Sequence, residues 1–136
     1  MATMQLDIIT AEKVAYSGEV EALLAPGIEG ELGILPHHAP LMTMLQPGEL
    51  MVRKDGQETF LAVTGGFLEV MENRVSILAD AAERSEDIDE ERAQAAVKSA
   101  QERIAMKSAD LDLEQAMAQL RRATVRLTVA RRRRPR

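Results

Sequence analysis

Arg92, Ala93 and Ala96 follow Asp89 by three, four and seven residues, a spacing that puts all four on one face of an α-helix. Arg122 and Arg126, four apart, share a face in the same way on a later segment. If the two faces close on each other, three guanidiniums converge beside one carboxylate over a floor of alanines. Arginine forks match phosphate oxygens at two points and alanine admits a flat ring, so the chemistry on offer is anion binding. The plainer alternative is a solvated face with intrahelical pairs such as Asp89 with Arg92, and the pattern alone favours it.

Other candidates are weaker. His37 and His38 sit in Gly30–Leu41, and neighbouring histidines on a strand would point to opposite faces. No third ligand stands at a suitable spacing and cysteine is absent, so no metal site is expected. Nor does either histidine accompany a recognisable nucleophile motif. Val63–Leu68 holds paired glycines but not the spacing or the Gly-Lys ending of a phosphate loop, and reads as a bend between strands. Glu83 to Glu91 holds six acids in nine residues, which suits a helix start: Asp87 as N-cap, Glu90 as its capping-box partner. Arg131 to Arg134 reads as a basic tail able to dock on an acidic protein surface.

The elements that must position these residues change character near Asp80. Before it, short apolar runs are broken by turn residues: MQLDII, EVEALLA, ELMVR, TFLAV, FLEVM and RVSILA are the strand candidates. Lys54-Asp55-Gly56-Gln57 carries the Asp-Gly of a type I′ hairpin, and a second tight turn falls at Glu72-Asn73. Short antiparallel strands of this kind favour a small sandwich or flattened barrel. From Ser85 to Arg134 there is neither Gly nor Pro, and apolar residues recur at three and four: Ala93, Val97, Ala100, Ile104, then Leu113, Met117, Leu120, Thr124, Leu127. Two helices follow, broken at Lys107–Asp110, with Ser108 or Asp110 placed to cap the second. An antiparallel hairpin with so many alanines packs closely but buries little area, so it is marginally stable and a candidate for movement.

The 136 residues suffice for a core without staples, and with no cysteine neither disulfides nor thiol chemistry are available. No apolar run is long enough to span a membrane and no secretion signal is seen, so a soluble protein is expected. Tyr16, Phe60 and Phe67 are the only aromatics, too few for base stacking, and nucleic acid is not an expected partner. Charge is bipolar: residues 1–82 hold 12 acids and 4 bases, while after Glu114 there are eight arginines and no acid. The two halves are therefore expected to face different partners.

GELGILPHHAPL, LAVTGGFLEV and ILADAAERSEDIDEERAQAA, in this order and spacing, resemble the epsilon subunit family of bacterial and chloroplast rotary ATP synthases. The resemblance runs from the first strand to about Ala130. It implies an all-β N-terminal sandwich of about ten short strands over 1–84 and an antiparallel two-helix hairpin with a basic tail over 85–136. It implies no catalytic residue, metal or required cofactor. A central-stalk role follows, with the sandwich held on the gamma subunit and the c-subunit ring, coupling proton flow to ATP synthesis. The hairpin is implied to restrain hydrolysis by lifting from the sandwich toward acidic segments of the catalytic beta subunits, where Arg121, Arg122, Arg126, Arg131 and Arg132 suit the contact. ATP is implied as a regulatory ligand of the folded hairpin. In that reading the segment from Ile88 through Asp89 to Ala93 lies on the adenine side with Glu83 before it, and Arg92, Arg122 and Arg126 take the phosphates. Lys98 and Ser99 stand where some ATP-binding members carry a further arginine. A peripheral place on the cytoplasmic face of a bacterial plasma membrane, or alternatively on a thylakoid membrane, is implied through the complex. A binding or scaffold protein for acidic partners, unconnected with ATP, is the rival class.

Overall fold

The computed structural model describes residues 2–107 and 109–132. Ten strands come first: β1 Met4–Ile9, β2 Val14–Val20, β3 Ala22–Gly27, β4 Gly30–Ile34, β5 Leu41–Leu45, β6 Gly48–Lys54, β7 Gln57–Val63, β8 Gly66–Met71, β9 Arg74–Ala79 and β10 Ala82–Arg84. A 3-10 turn at Ser85–Asp87 leads to helix α1, Glu90–Met106, and then to helix α2, Leu113–Arg131. The strands pair in the order β10-β7-β6-β3-β5-β8-β9-β1-β2, with β4 on β3. All pairs are antiparallel except β1 with β9.

The tight turns form where the sequence supplies residues that tolerate positive φ. Asp55 and Gly56 sit at 52° and 76°, and Glu72 and Asn73 at 51° and 61°, so both hairpins have the twist their strands need. Gly65 and Gly66, at 126° and 137°, make the bend between β7 and β8 read from Val63–Leu68.

Strands with one covered face alternate, as in β1, where Met4, Leu6 and Ile8 are buried and Ile9 is exposed. These residues join Leu23, Leu50, Leu61, Leu68, Val75 and Ile77 in the core between the folded halves of the sheet. TFLAV does not alternate because both of its faces are covered. Leu61 and Val63 enter the sandwich core, while Phe60 and Ala62 join a second cluster with Ile88, Ala93, Val129 and Ala130. That second cluster joins the hairpin to the sandwich. Burying Ile88 and Val129 there contributes about 1.5–3 kcal/mol each, more than any exposed ion pair.

Several expectations are corrected. EVEALLA is not one strand: the chain bends at Glu21, whose N–H donates to Arg53 O (2.8 Å), as it passes from pairing with β1 to pairing with β6. The N-cap of α1 is Asp89, whose carboxylate accepts from Arg92 N at 3.1 Å; Asp87 ends the preceding 3-10 turn. The N-cap of α2 is Asp112 rather than Asp110, because Asp112 accepts from Gln115 N at 3.1 Å. Ser108 lies outside the described residues. The covered face of α2 is also rotated from the expected one, since Ala116, Ala123, Val129 and Ala130 are buried while Leu113 and Met117 are exposed. Small residues let the helices approach, and the larger ones are left facing out. Only the expected tail residues Arg131 and Arg132 fall within the described residues, and Arg131 is helical and forms the end of α2.

Candidate functional site

The site lies where α1 begins, where α2 nears its end and where β10 leaves the sheet. A cavity of about 430 Å³ is lined by Glu83, Asp87, Asp89, Arg92, Ala96 and Arg126. β10 supplies Glu83 through its pairing with β7, whose Ala62 stands opposite Glu83. The 3-10 turn and the Asp89 cap then aim α1 so that Arg92 and Ala96, one turn apart, look into the same space. Arg126 comes from α2, which the antiparallel packing brings back alongside.

Five of the residues singled out from sequence therefore converge: Glu83, Asp89, Arg92, Ala96 and Arg126. Arg122 stands one turn before Arg126, half-buried, and is not among the lining residues. Ile88 and Ala93 are buried, their side chains in the cluster beneath the hairpin. Asp87 lines the cavity although its position had suggested only a cap; the signal was its place two residues before Asp89 in the acidic run.

The charges are partly committed already. Arg126 Nε donates to Glu83 Oε1 at 2.6 Å and Nη2 to Oε2 at 3.1 Å, a fork-to-fork pair with both side chains about one third exposed. Arg92 uses only its backbone N–H, on Asp89; among the described residues its guanidinium has no ion-pair partner. An entering phosphate would meet one unpaired guanidinium and one it must share with, or take from, Glu83. Three carboxylates against two guanidiniums make the cavity an indifferent anion site unless Glu83 gives up Arg126.

Arg131 and Arg132, at the end of α2, also find partners within the chain. Arg131 Nε donates to Glu90 at 3.4 Å, and Arg132 holds Glu49 through Nε at 2.8 Å and Nη2 at 2.9 Å. The Arg132 guanidinium lies 5.1 Å over the Phe60 ring. Sequence spacing gave no hint of Glu49 or Phe60, which are more than seventy residues away from Arg132. Arg121 is exposed and carries no ion pair among the described residues.

The histidines belong to a loop held in place by Asn73. His37 N donates to Asn73 Oδ1 at 2.8 Å, Asn73 Nδ2 donates to Thr3 O at 2.9 Å, and His38 Nδ1 lies 2.7 Å from Ala39 O. Among the described residues no group of three or more His, Asp or Glu is placed to hold a metal ion. On the outer side of the sheet, Met42, Phe67 and Leu78 from β5, β8 and β9 are half to two thirds exposed and border a groove of about 220 Å³.

Fold and site together define a β-sandwich module carrying a helical hairpin packed over a charged cavity. Residues 3–85 match the family model described as ATP synthase, Delta/Epsilon chain, beta-sandwich domain, and residues 86–131 the one described as ATP synthase, Delta/Epsilon chain, long alpha-helix domain. An ATP synthase epsilon chain of Herpetosiphon aurantiacus is 52% identical over 133 residues, covering 98% of each chain. One of Dehalococcoides mccartyi is 54% identical over 135 residues, covering 98% of this chain and 96% of that one. A chain of the Euglena gracilis mitochondrial ATP synthase shares the fold, with a TM-score of 0.80 at 24% identity over 91% of this chain and 79% of its own. The chain therefore belongs to the delta/epsilon chain family of ATP synthase, whose members are non-catalytic subunits of the complex.

Proposed function

We propose that this chain is a regulatory central-stalk subunit, in which the sandwich is the anchor and the hairpin over 85–136 a movable arm. The anchor seats on the gamma subunit and the c-subunit ring, so that the chain turns with them while proton flow drives ATP synthesis. The exposed apolar groove at Met42, Phe67 and Leu78 supports a seated sandwich, since it offers area for a protein contact. A chain of the Tetrahymena thermophila mitochondrial ATP synthase central stalk and c-ring has the same fold, with a TM-score of 0.62 at 20% identity over 91% of this chain and 92% of its own. No described helix is long and apolar enough to cross a membrane, which fits a peripheral subunit on the cytoplasmic face of a bacterial plasma membrane.

The arm restrains hydrolysis by rising toward acidic segments of the beta subunits, and ATP opposes that movement. One observation carries the ligand reading: the cavity at Glu83, Asp89, Arg92 and Arg126 is built from sandwich, α1 and α2 at once. A nucleotide held there touches all three only while the hairpin is down, so it stabilises the folded state by its differential affinity. Arg92 and Arg126 take phosphate oxygens, Arg122 joins from one turn away, and the first turn of α1 at Asp89 frames the base, with the buried Ile88 and Ala93 behind it.

Titrating the isolated chain with ATP while following helix amide shifts tests the ligand. Shifts confined to α1, α2 and β10 are expected, and unchanged spectra at millimolar nucleotide would remove ATP from the function. Pull-down of gamma, beta and c subunits is the matching test of the stalk assignment.

A further inference from the structure

Glu49 and Glu83 stand on different strands, β6 and β10, yet each receives an arginine fork from the last turns of α2. The Arg132 contact is the more elaborate of the two. Besides its two bonds to Glu49 it lies over Phe60, and Glu58 close by adds to the negative field; hydrogen bonding to Glu49 and that field hold its pKa above the ordinary arginine value. Glu58 is itself held by Arg53 at 2.9 Å, so β6 and β7 together present an ordered acidic patch with an aromatic floor.

Acidic carboxylates in fixed positions are also what a basic helix would seek on another protein. We propose that Glu49, seconded by Glu83, is an internal stand-in for an acidic partner surface: a latch that holds the end of α2 on the sandwich and keeps Arg132 and Arg126 from outside carboxylates. The proposal rests on the reading of a hairpin that leaves the sandwich, and adds which contacts set its equilibrium. Ile88 and Val129 supply most of the hold, but their burial is indifferent to salt and to partner charge. The latch makes the equilibrium responsive to both, because every acidic partner must displace Glu49 before it can use Arg132. Half-exposed forks of this kind shift an equilibrium by about two- to fivefold each.

Absence of cysteine allows a direct test. Ala62 is buried under the hairpin, so the thiol of A62C reports opening through its rate of labelling by a maleimide. E49Q and R132Q, each added to A62C, are expected to raise that rate about fivefold, and both together no further. The swapped pair E49R/R132E should return the rate toward that of A62C alone. Salt should speed labelling of A62C and have little effect on the two single variants. Toward a polyglutamate peptide the variants should diverge, E49Q binding more tightly and R132Q more weakly than the parent. Equal labelling with and without E49Q, or an increase in R132Q alone, would overturn the latch while leaving a mobile hairpin intact. No labelling in any background would overturn both. Amide exchange at Val129 and Ala130 in the cysteine-free chain repeats the comparison should A62C loosen the cluster.

Discussion

Arg126 and Glu83 meet as a two-point ion pair, 2.6 and 3.1 Å long, at a cavity shared by the sandwich and both helices. The pair is one third exposed, so as a stabilising contact it contributes about 1 kcal/mol at most. Its consequence for binding is larger, because any phosphate must compete with Glu83 for the same fork. Arg126→Ala is expected to leave the sandwich folded and to weaken ATP binding at least tenfold by isothermal titration. Glu83→Gln should do the reverse on the phosphate side by freeing the fork. Equal affinity in Arg126→Ala would take that residue out of the pocket.

Asp89 caps α1 by accepting from Arg92 N. Asp89→Ala removes the acceptor and should cost about 1 kcal/mol, with fraying of the first turn visible in amide exchange. Asp89→Asn retains an acceptor oxygen, so α1 should stay intact. Any change of nucleotide affinity in Asp89→Asn then reports the carboxylate charge and not the helix.

Much of this arrangement can be read from the sequence, and the boundary is physical. Asp55-Gly56 and Glu72-Asn73 announce their turns because positive φ selects few residue types. The helical spacing of Asp89, Arg92 and Ala96 survives intact because a helix repeats locally, whatever it packs against. Strands β2, β4, β5 and β10 are not apparent as strands in the apolar pattern: β2 and β4 each bury a single residue, β10 has only three residues, and β5 is held chiefly by the distant β8, so pairing rather than apolar alternation defines each. The rotation of α2 is hidden for a related reason. Alanine and leucine are both apolar on paper, but close approach to α1 rewards the smaller face. Glu49 and Phe60 belong to the sandwich, and nothing near Arg132 in the chain marks them as its partners.

The bend at Gly66 tests the sandwich itself. A Cβ there would meet the carbonyl oxygen of Leu78 and stand 2.8 Å from Ala79 Cα, at a φ of 137° that other residues rarely adopt. Because backbone cannot move aside as a flexible side chain can, Gly66→Ala should lose more than about 2 kcal/mol in urea unfolding. Gly56→Ala, with open space around it, should lose about 1 kcal/mol or less, from its φ alone.

Asp7 sets an acid limb on stability. Its carboxylate accepts from Ser17 Oγ at 2.7 Å, from Gln5 Nε2 at 3.2 Å and from Arg74 at 3.2 Å. The Ser17 bond chiefly, aided by Gln5 and Arg74 and opposed by burial, holds its pKa below the ordinary value. A lowered native pKa means that the unfolded chain takes up the proton first as pH falls. The contribution is whole above about pH 4 and is lost below it. Melting temperature should fall more steeply below that pH in the parent than in Asp7→Asn.

In the proposed regulatory cycle the basic residues on α2 serve two surfaces, so replacing them together would blur opposing effects. Removing Arg126 or Arg132 would weaken the proposed contact with an acidic beta-subunit surface, but it would also release the hairpin from Glu83 or Glu49 and so favour the proposed extended form. Arg121 separates the two, because it is exposed and unpaired among the described residues, and its loss costs the folded hairpin nothing. Arg121→Gln should therefore raise ATP hydrolysis by a synthase reconstituted with this chain, about two- to fivefold and chiefly at low salt, where screening is weak. Glu49→Gln should lower hydrolysis in the same assay by releasing arginines toward the beta subunits. If Arg121→Gln leaves the rate unchanged at every ionic strength, the extended hairpin is held by something other than charge. A parallel fall in both variants would place Arg121 on the folded side of the equilibrium instead.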